Sequence, residues 1–318
     1  MTYDPPQTVD LMHLGKPKAM SAHLFDDVIV DPGAERTIDR VVEALDGRTP
    51  RAILLTHIHF DHAGGTGALV RRFPDVEVWV HERGARHMID PTRLVASARK
   101  VFGDYFDMLW GEVVPIPEKN IRVLHGGEEE GPWEVAYTPG HAQHHVSYLH
   151  RPTRTAFTGD VTGIRIDGGP ALPPTPPPDI DPPLWHASLE TVAAWEPERL
   201  AFMHFGQTTG DVMQQIETMH ETLDLYAETA RTTDAQGMAD FIRGWVLERA
   251  GEEGLPTYYA AGPFEGLWAG LDRYWKRVAR EAEVAGAEAH DEVVDAAGEH
   301  RQDQGDGSSP AGGGAAAS

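Results

Sequence analysis

The chain has 318 residues, with 50 Asp and Glu against 27 Lys and Arg, a formal net charge of −23 and no cysteine. The missing thiols exclude a thiolate nucleophile, a zinc finger, an iron–sulfur cluster and a disulfide scaffold. The acidity argues against nucleic-acid and anionic-membrane partners, which need clustered bases, while 41% hydrophobic residues leave ample material for a core.

Residues 1–18 carry no basic patch followed by an apolar run, and no stretch approaches the roughly 18 apolar residues of a membrane span. A soluble, cytoplasmic protein is expected. Val28-Ile29-Val30 is an apolar triplet closed by the turn signal Asp31-Pro32-Gly33. Ile38, Val41, Val42 and Leu45 then recur at helical spacing. Ala52-Ile53-Leu54-Leu55 reads as a short buried strand running straight into a polar cluster. Further strands are expected at 76–80, 121–124, 133–137, 146–149 and 155–157, with helices at 63–73 and 184–195. Strands separated by helical segments predict an α/β sheet architecture over about the first 208 residues.

Residues 168–178, dense in glycine and proline and followed by Pro182-Pro183, can be neither regular helix nor central strand. They read either as a surface connection or as a stiff loop beside a site. Beyond them, Val212, Ile216, Met219, Leu223 and Tyr226 form an amphipathic stripe. Phe241, Trp245 and Val246 continue in a second helix, and Leu267, Leu271, Tyr274 and Val278 in a third. A helical C-terminal section is therefore expected at 209–285. Residues 281–318 hold nine acids against the single base Arg301, and the stretch from Gly305 is nearly all Gly, Ala and Ser. A flexible tail is expected over 286–318.

The chemistry is concentrated in Thr56-His57-Ile58-His59-Phe60-Asp61-His62. Three imidazoles and a carboxylate at a strand end suit Zn²⁺, Fe²⁺ or Mn²⁺. His57 and His59, two apart, project to one side of an extended segment. Asp61 and His62 precede the turn at Gly64-Gly65 and can face a second ion. Four residues cannot complete a two-metal site. His141 after Tyr137-Thr138-Pro139-Gly140, Asp160 after Ala156-Phe157-Thr158-Gly159, and His204 after Leu200-Ala201-Phe202-Met203 all occupy the same context, a polar ligand just past an apolar run.

These motifs, in this order, resemble those of the metallo-β-lactamase superfamily over roughly residues 20–206. The resemblance implies a four-layer αβ/βα sandwich with a dinuclear metal cleft at one edge. It implies that His57, His59 and His141 bind one ion and Asp61, His62 and His204 the other, with Asp160 bridging. Asp31 matches an acidic residue that supports the family site without ligating. His204-Phe205-Gly206 stands where relatives often have Gly-His-Gly, with the ligand retained.

Two divalent ions are expected, Zn²⁺ first, with iron or manganese as alternatives. Two such ions lower the pKa of a shared water, so the expected activity is hydrolysis of a small ester, thioester or lactone, with Asp61 and Asp160 in catalytic roles. A glyoxalase II-like, hydroxyacylglutathione hydrolase branch is suggested by the helical section. However, Val161-Thr162-Gly163-Ile164-Arg165 lacks that branch's Gly-Cys-Gly-Arg-type segment. Iron-dependent sulfur (persulfide) dioxygenase, phosphodiesterase or nuclease, and a non-catalytic metal-binding module are the alternatives. The expected partner is a small-molecule substrate, with no nucleic acid or membrane, and a homodimer left open. His144 and His145 read equally as supports of the site or as surface residues. His13, His81, His87, His125, His150, His186, His220, His290 and His300 read as structural or solvated. Tyr258, Tyr259 and Trp268 read as core, with a pocket wall as the alternative.

Overall fold

The structure, a computed structural model, describes residues 3–302, with side chains as far as residue 285 apart from that of residue 209. Of the flexible tail expected over 286–318, residues 286–302 instead continue the last helix, and residues 303–318 lie outside the described residues. In chain order the strands are β1 (Gln7–Asp10), β2 (Ser21–Phe25), β3 (Val28–Val30), β4 (Ala52–Leu54), β5 (Glu77–His81), β6 (Ile121–Leu124), β7 (Glu129–Glu130), β8 (Trp133–Tyr137), β9 (Val146–His150), β10 (Thr155–Phe157), β11 (Arg199–Phe202) and β12 (Gly206–Thr209). The helices are α1 (Ile38–Leu45), α2 (Phe60–Ala63), α3 (Thr66–Arg72), α4 (Glu82–Ile89), α5 (Thr92–Phe102), α6 (Phe106–Trp110), α7 (Pro182–Ala194), α8 (Val212–Thr232), α9 (Ala235–Ala261) and α10 (Phe264–Gln302). By its contacts the chain divides after Arg273.

The strands form two six-stranded mixed sheets, β1 to β6 in sequence order and β12-β11-β10-β9-β8-β7. Strands β3, β4 and β10 are apolar or small and buried along their whole length, as strands covered on both faces are. Val28, Val30, Ala52, Leu54 and Trp79 of the first sheet pack in one core with Val135, Tyr148, Phe157 and Ala201 of the second. The alternate residues Ile29, Ile53, Val78 and Val80 point the other way. They meet Val41 and Leu45 of α1, Leu69 and Val70 of α3, and Phe106 and Trp110 of α6. On the far side, α7 is held to the second sheet by Trp195 Nε1, which donates to Glu134 at 2.7 Å. The α/β sandwich expected from the sequence is thus present, with helices outside two facing sheets.

The helix expected at 63–73 is split. The chain makes a four-residue turn, α2, and restarts as α3 after Gly64-Gly65, where a Cβ on Gly64 would lie 2.5 Å from the Phe60 carbonyl oxygen. Helices α4 to α6 and strands β1, β2 and β12 were not anticipated. The helical C-terminal region appears as α8, α9 and α10, and among the described residues no helix is long and apolar enough to cross a membrane.

Candidate metal centre

Strand direction brings the candidates together. Strand β9 is antiparallel to both β8 and β10, and β11 is parallel to β10, so β8, β10 and β11 end at one edge of their sheet. His141, Asp160 and His204 follow those three ends. In the other sheet β3 and β4 are parallel, and Asp31 and the 57–62 segment follow their ends. The two edges are joined where Tyr148 donates its hydroxyl to Leu55 O at 2.8 Å and Val146 N donates to Thr56 O at 2.8 Å.

Two glycines allow the close approach. Gly159, at φ 48°, precedes Asp160, and a Cβ there would lie 2.4 Å from Thr56 Oγ1. Gly140, at φ 124°, precedes His141, and a Cβ would lie 2.3 Å from Trp185 N. Both positions combine a left-handed backbone with no room for a side chain.

All seven predicted ligands converge. His59 Nδ1 lies 2.9 Å from His57 Nε2 and 3.0 Å from His141 Nε2, forming an all-imidazole triad. Asp61 Oδ2 lies 3.8 Å from His62 Nε2 and 3.4 Å from His204 Nε2, forming a mixed triad. Asp160 stands between them. Its Oδ2 is 3.3 Å from His141 Nε2, and its Oδ1 is 3.3 Å from His62 Nε2 and 3.8 Å from His204 Nε2. His57-His59-His141, His57-His62-Asp160 and Asp61-His62-His204 each present three ligand atoms within 4.8 Å of one another. His62 Nε2 and Asp160 Oδ1 are buried and, although 3.3 Å apart, make no well-aligned hydrogen bond. Orphaned buried atoms are costly unless something else satisfies them. Imidazole nitrogen and carboxylate oxygen, with no sulfur, are a donor set that fits Zn²⁺, iron or manganese.

The far side of four of the five imidazoles is held. His62 Nδ1 donates to Asp31 Oδ2 at 2.9 Å, and Asp31 also accepts from Thr56 N at 2.8 Å and Thr56 Oγ1 at 2.7 Å. His57 Nδ1 meets Thr56 Oγ1 at 3.2 Å. His141 Nδ1 donates to Pro174 O at 2.8 Å, and His204 Nδ1 to Ala19 O at 2.7 Å. Such bonds fix ring tautomer and aim, here leaving Nε2 for the centre.

Charge separates the triads. Burial and then the neighbouring imidazoles hold His57 well below its ordinary range, and burial pushes His141 down to about 4. Burial also outweighs Asp61 and Asp160 at His59, which is lowered too. At His62 burial acts the same way, but Asp160, Asp31 and Asp61 together overcome it and raise the group well above its usual value. Against burial, Asp61 and Asp160 raise His204 as well. The Asp160 carboxyl, despite burial, is held far down by His62 and His141.

His145 is buried and supports the centre. Its Nδ1 pairs with Thr138 Oγ1 at 2.9 Å, and its Nε2 accepts from Asp160 N at 3.4 Å. His144 Nδ1 accepts from Ile58 N at 3.4 Å. The proline-dense loop is the stiff loop of the two alternatives, since Pro174 O aims His141. Thr175 Oγ1 donates to Leu267 O at 2.5 Å and Tyr258 donates its hydroxyl to Pro170 O at 2.8 Å, so Tyr258 anchors the loop. Tyr259 is largely exposed. Reasoning from the sequence assigned no role to Thr56, Ala19 O or Pro174 O. Thr56 adjoins a ligand, but a backbone carbonyl has no signature of its own. Of the histidines set aside, His13, His81 and His150 are buried, as structural residues would be. His290 and His300 lie beyond the described side chains.

The chain matches the metallo-beta-lactamase superfamily over residues 26–204. It is similar to the metallo-beta-lactamase fold-containing protein ST1585 of Sulfurisphaera tokodaii, 29% identical over 59% of this chain and 72% of that one. The crystal structure of ST1585 from Sulfolobus tokodaii covers 70% of this chain and 85% of its own, at 27% identity and a TM-score of 0.58. The probable metallo-hydrolase YybB of Bacillus subtilis is 35% identical over 43% of this chain and 57% of its own length. The hydroxyacylglutathione hydrolase GloC of Haemophilus influenzae is 30% identical over 43% of this chain and 64% of its own length.

Proposed function

The chain belongs to the metallo-β-lactamase superfamily, and from that membership and its seven converging ligands we propose that it is a dinuclear metal-dependent hydrolase acting on a small ester, thioester or lactone. The observation that carries the reading is Asp160, which turns one oxygen to His141 of the all-imidazole triad and the other to His62 of the mixed triad, each at 3.3 Å. His57, His59 and His141 would hold one ion, and Asp61, His62 and His204 the other. Bound divalent ions would supply Lewis-acid polarisation of a carbonyl and a water of lowered pKa.

The chain's own residues do the rest. Asp31, Thr56, Pro174 and Ala19 hold the imidazole rings in register. Asp61, whose side chain is 20% exposed, is the open carboxylate of the site and can orient an attacking water and accept its proton. His59 is also partly exposed, so substrate would approach between these two. No protein nucleophile is needed, in keeping with the missing cysteine.

The Arg165 guanidinium is already bonded to Asp211 at 2.7 Å and Gln215 at 2.8 Å. An arginine so engaged is a poor anchor for a glutathione carboxylate, which favours small esters and lactones over glutathione thioesters. The test is metal analysis of the purified protein followed by a panel of lactone, ester, glutathione thioester and phosphodiester substrates. Two ions per chain and turnover of a lactone or simple ester are expected. Less than one ion per chain, or turnover of phosphodiesters alone, would overturn the reading.

A further inference from the structure

A second pair of histidines meets far along the chain from the ligand motifs. His186 of α7 and His220 of α8 approach with Nδ1 atoms 2.6 Å apart, their ring planes within 1° and their centroids 4.9 Å apart. Atoms so close in parallel rings cannot belong to a face-to-face stack, whose layers stand about 3.5 Å or more apart. The rings therefore meet edge to edge, nitrogen to nitrogen. Each far nitrogen faces a carboxylate on the opposite helix. His186 Nε2 is 2.8 Å from Asp224 Oδ1, and His220 Nε2 is 3.4 Å from Glu190 Oε1. Sequence spacing produces the arrangement, because His186 and Glu190 lie four apart on α7, and His220 and Asp224 four apart on α8, each pair on one helix face.

Among the described residues, imidazole nitrogens approach this closely in two places, the metal centre and here. A carboxylate behind an imidazole is also the usual support of a metal-ligating histidine. We propose that His186 and His220 form a separate metal site, in which one divalent ion of the Zn²⁺ class joins α7 to α8. The ion takes the place of the proton between the two Nδ1 atoms, which is released to solvent. Bonds of about 2.0–2.1 Å require the nitrogens to part from 2.6 Å to roughly 3.4 Å. The two side chains are 28% and 25% exposed, which leaves room for that movement and for waters to complete the shell.

The site owes nothing to the hydrolase reading, and its test leaves that centre loaded. Zn²⁺ is titrated into the metal-loaded protein, into His186→Gln and into His220→Gln, with Mg²⁺ as the control ion. The parent should take up one further Zn²⁺ per chain, released protons should accompany it, and both variants should lose that equivalent while keeping their turnover. Glu190→Gln and Asp224→Asn should bind it about tenfold more weakly. No extra Zn²⁺ in the parent, an equivalent that persists in both variants, or equal uptake of Mg²⁺ would each overturn the proposal. The first result would leave the pair as a hydrogen bond between helices, and the others would assign the uptake to the acidic surface.

Discussion

The two candidate ligand triads flank one carboxylate, Asp160, and differ in nearly everything else. His57, His59 and His141 include no carboxylate, and burial lowers the pKa of all three. His62 and His204 sit among Asp31, Asp61 and Asp160 and are drawn towards the protonated state. The same residue type is thus pushed towards the neutral ring in one triad and towards the protonated ring in the other. Neighbouring carboxylates decide the difference, because attraction inside a dry site outweighs the burial penalty that both triads pay.

The most severe way to break the comparison is Asp160→Ala, which removes the residue the triads share. Metal content and turnover should fall to background together, and full activity in the variant would refute the shared role. His59→Ala and His204→Ala divide the triads. Each should hold about one ion fewer per chain, with turnover reduced by more than the roughly 100-fold that losing an outer partner costs. Equal loss of both ions in His204→Ala would show that the triads cannot load apart. Asp31→Asn keeps the ligands but weakens the acceptor behind His62, so a loss of about 10–100-fold in affinity is expected at the mixed triad alone.

Acidity sharpens the contrast. A ligand nitrogen must shed its proton before it binds a cation, and a raised pKa makes protons competitive at higher pH. As pH falls, the mixed triad should therefore empty first, and metal content should pass through a plateau near one ion per chain before the all-imidazole triad empties. A single transition from two ions to none would contradict this order. The smallest effect belongs to Tyr148→Phe, which removes the hydroxyl bond joining the two sheets at Leu55. It should cost about 1 kcal/mol in denaturant unfolding and leave metal content unchanged.

Much of this was legible in the linear chain. His57, His59, Asp61 and His62 are crowded into one segment, and His141, Asp160 and His204 each follow a short apolar run that becomes a strand. Helix α1 and strands β3 and β6 fall where their periodicity puts them. Other elements were hidden for identifiable reasons. Strand β2, Ser21–Phe25, includes His23, whose ring is buried and paired with Phe202 O at 3.1 Å, so its polar letters conceal a wholly buried strand. Helices α4 and α5 carry many charged residues and short apolar stripes, α6 is only five residues long, and their packing on the first sheet reveals them. His186 and His220 look solvated along the chain, since the residues that give them meaning lie on another helix.

The sequence by itself determined the ligand types, the strand ends that carry them and the exclusion of thiol chemistry, because these depend on residue identity and local spacing. Only the tertiary structure decided which candidate ligands stand together, which carbonyls aim the rings and which histidines are pushed towards the protonated form. Those properties depend on distances below 4 Å between residues up to 185 positions apart, where electrostatics and hydrogen bonding act through space and chain order carries no weight.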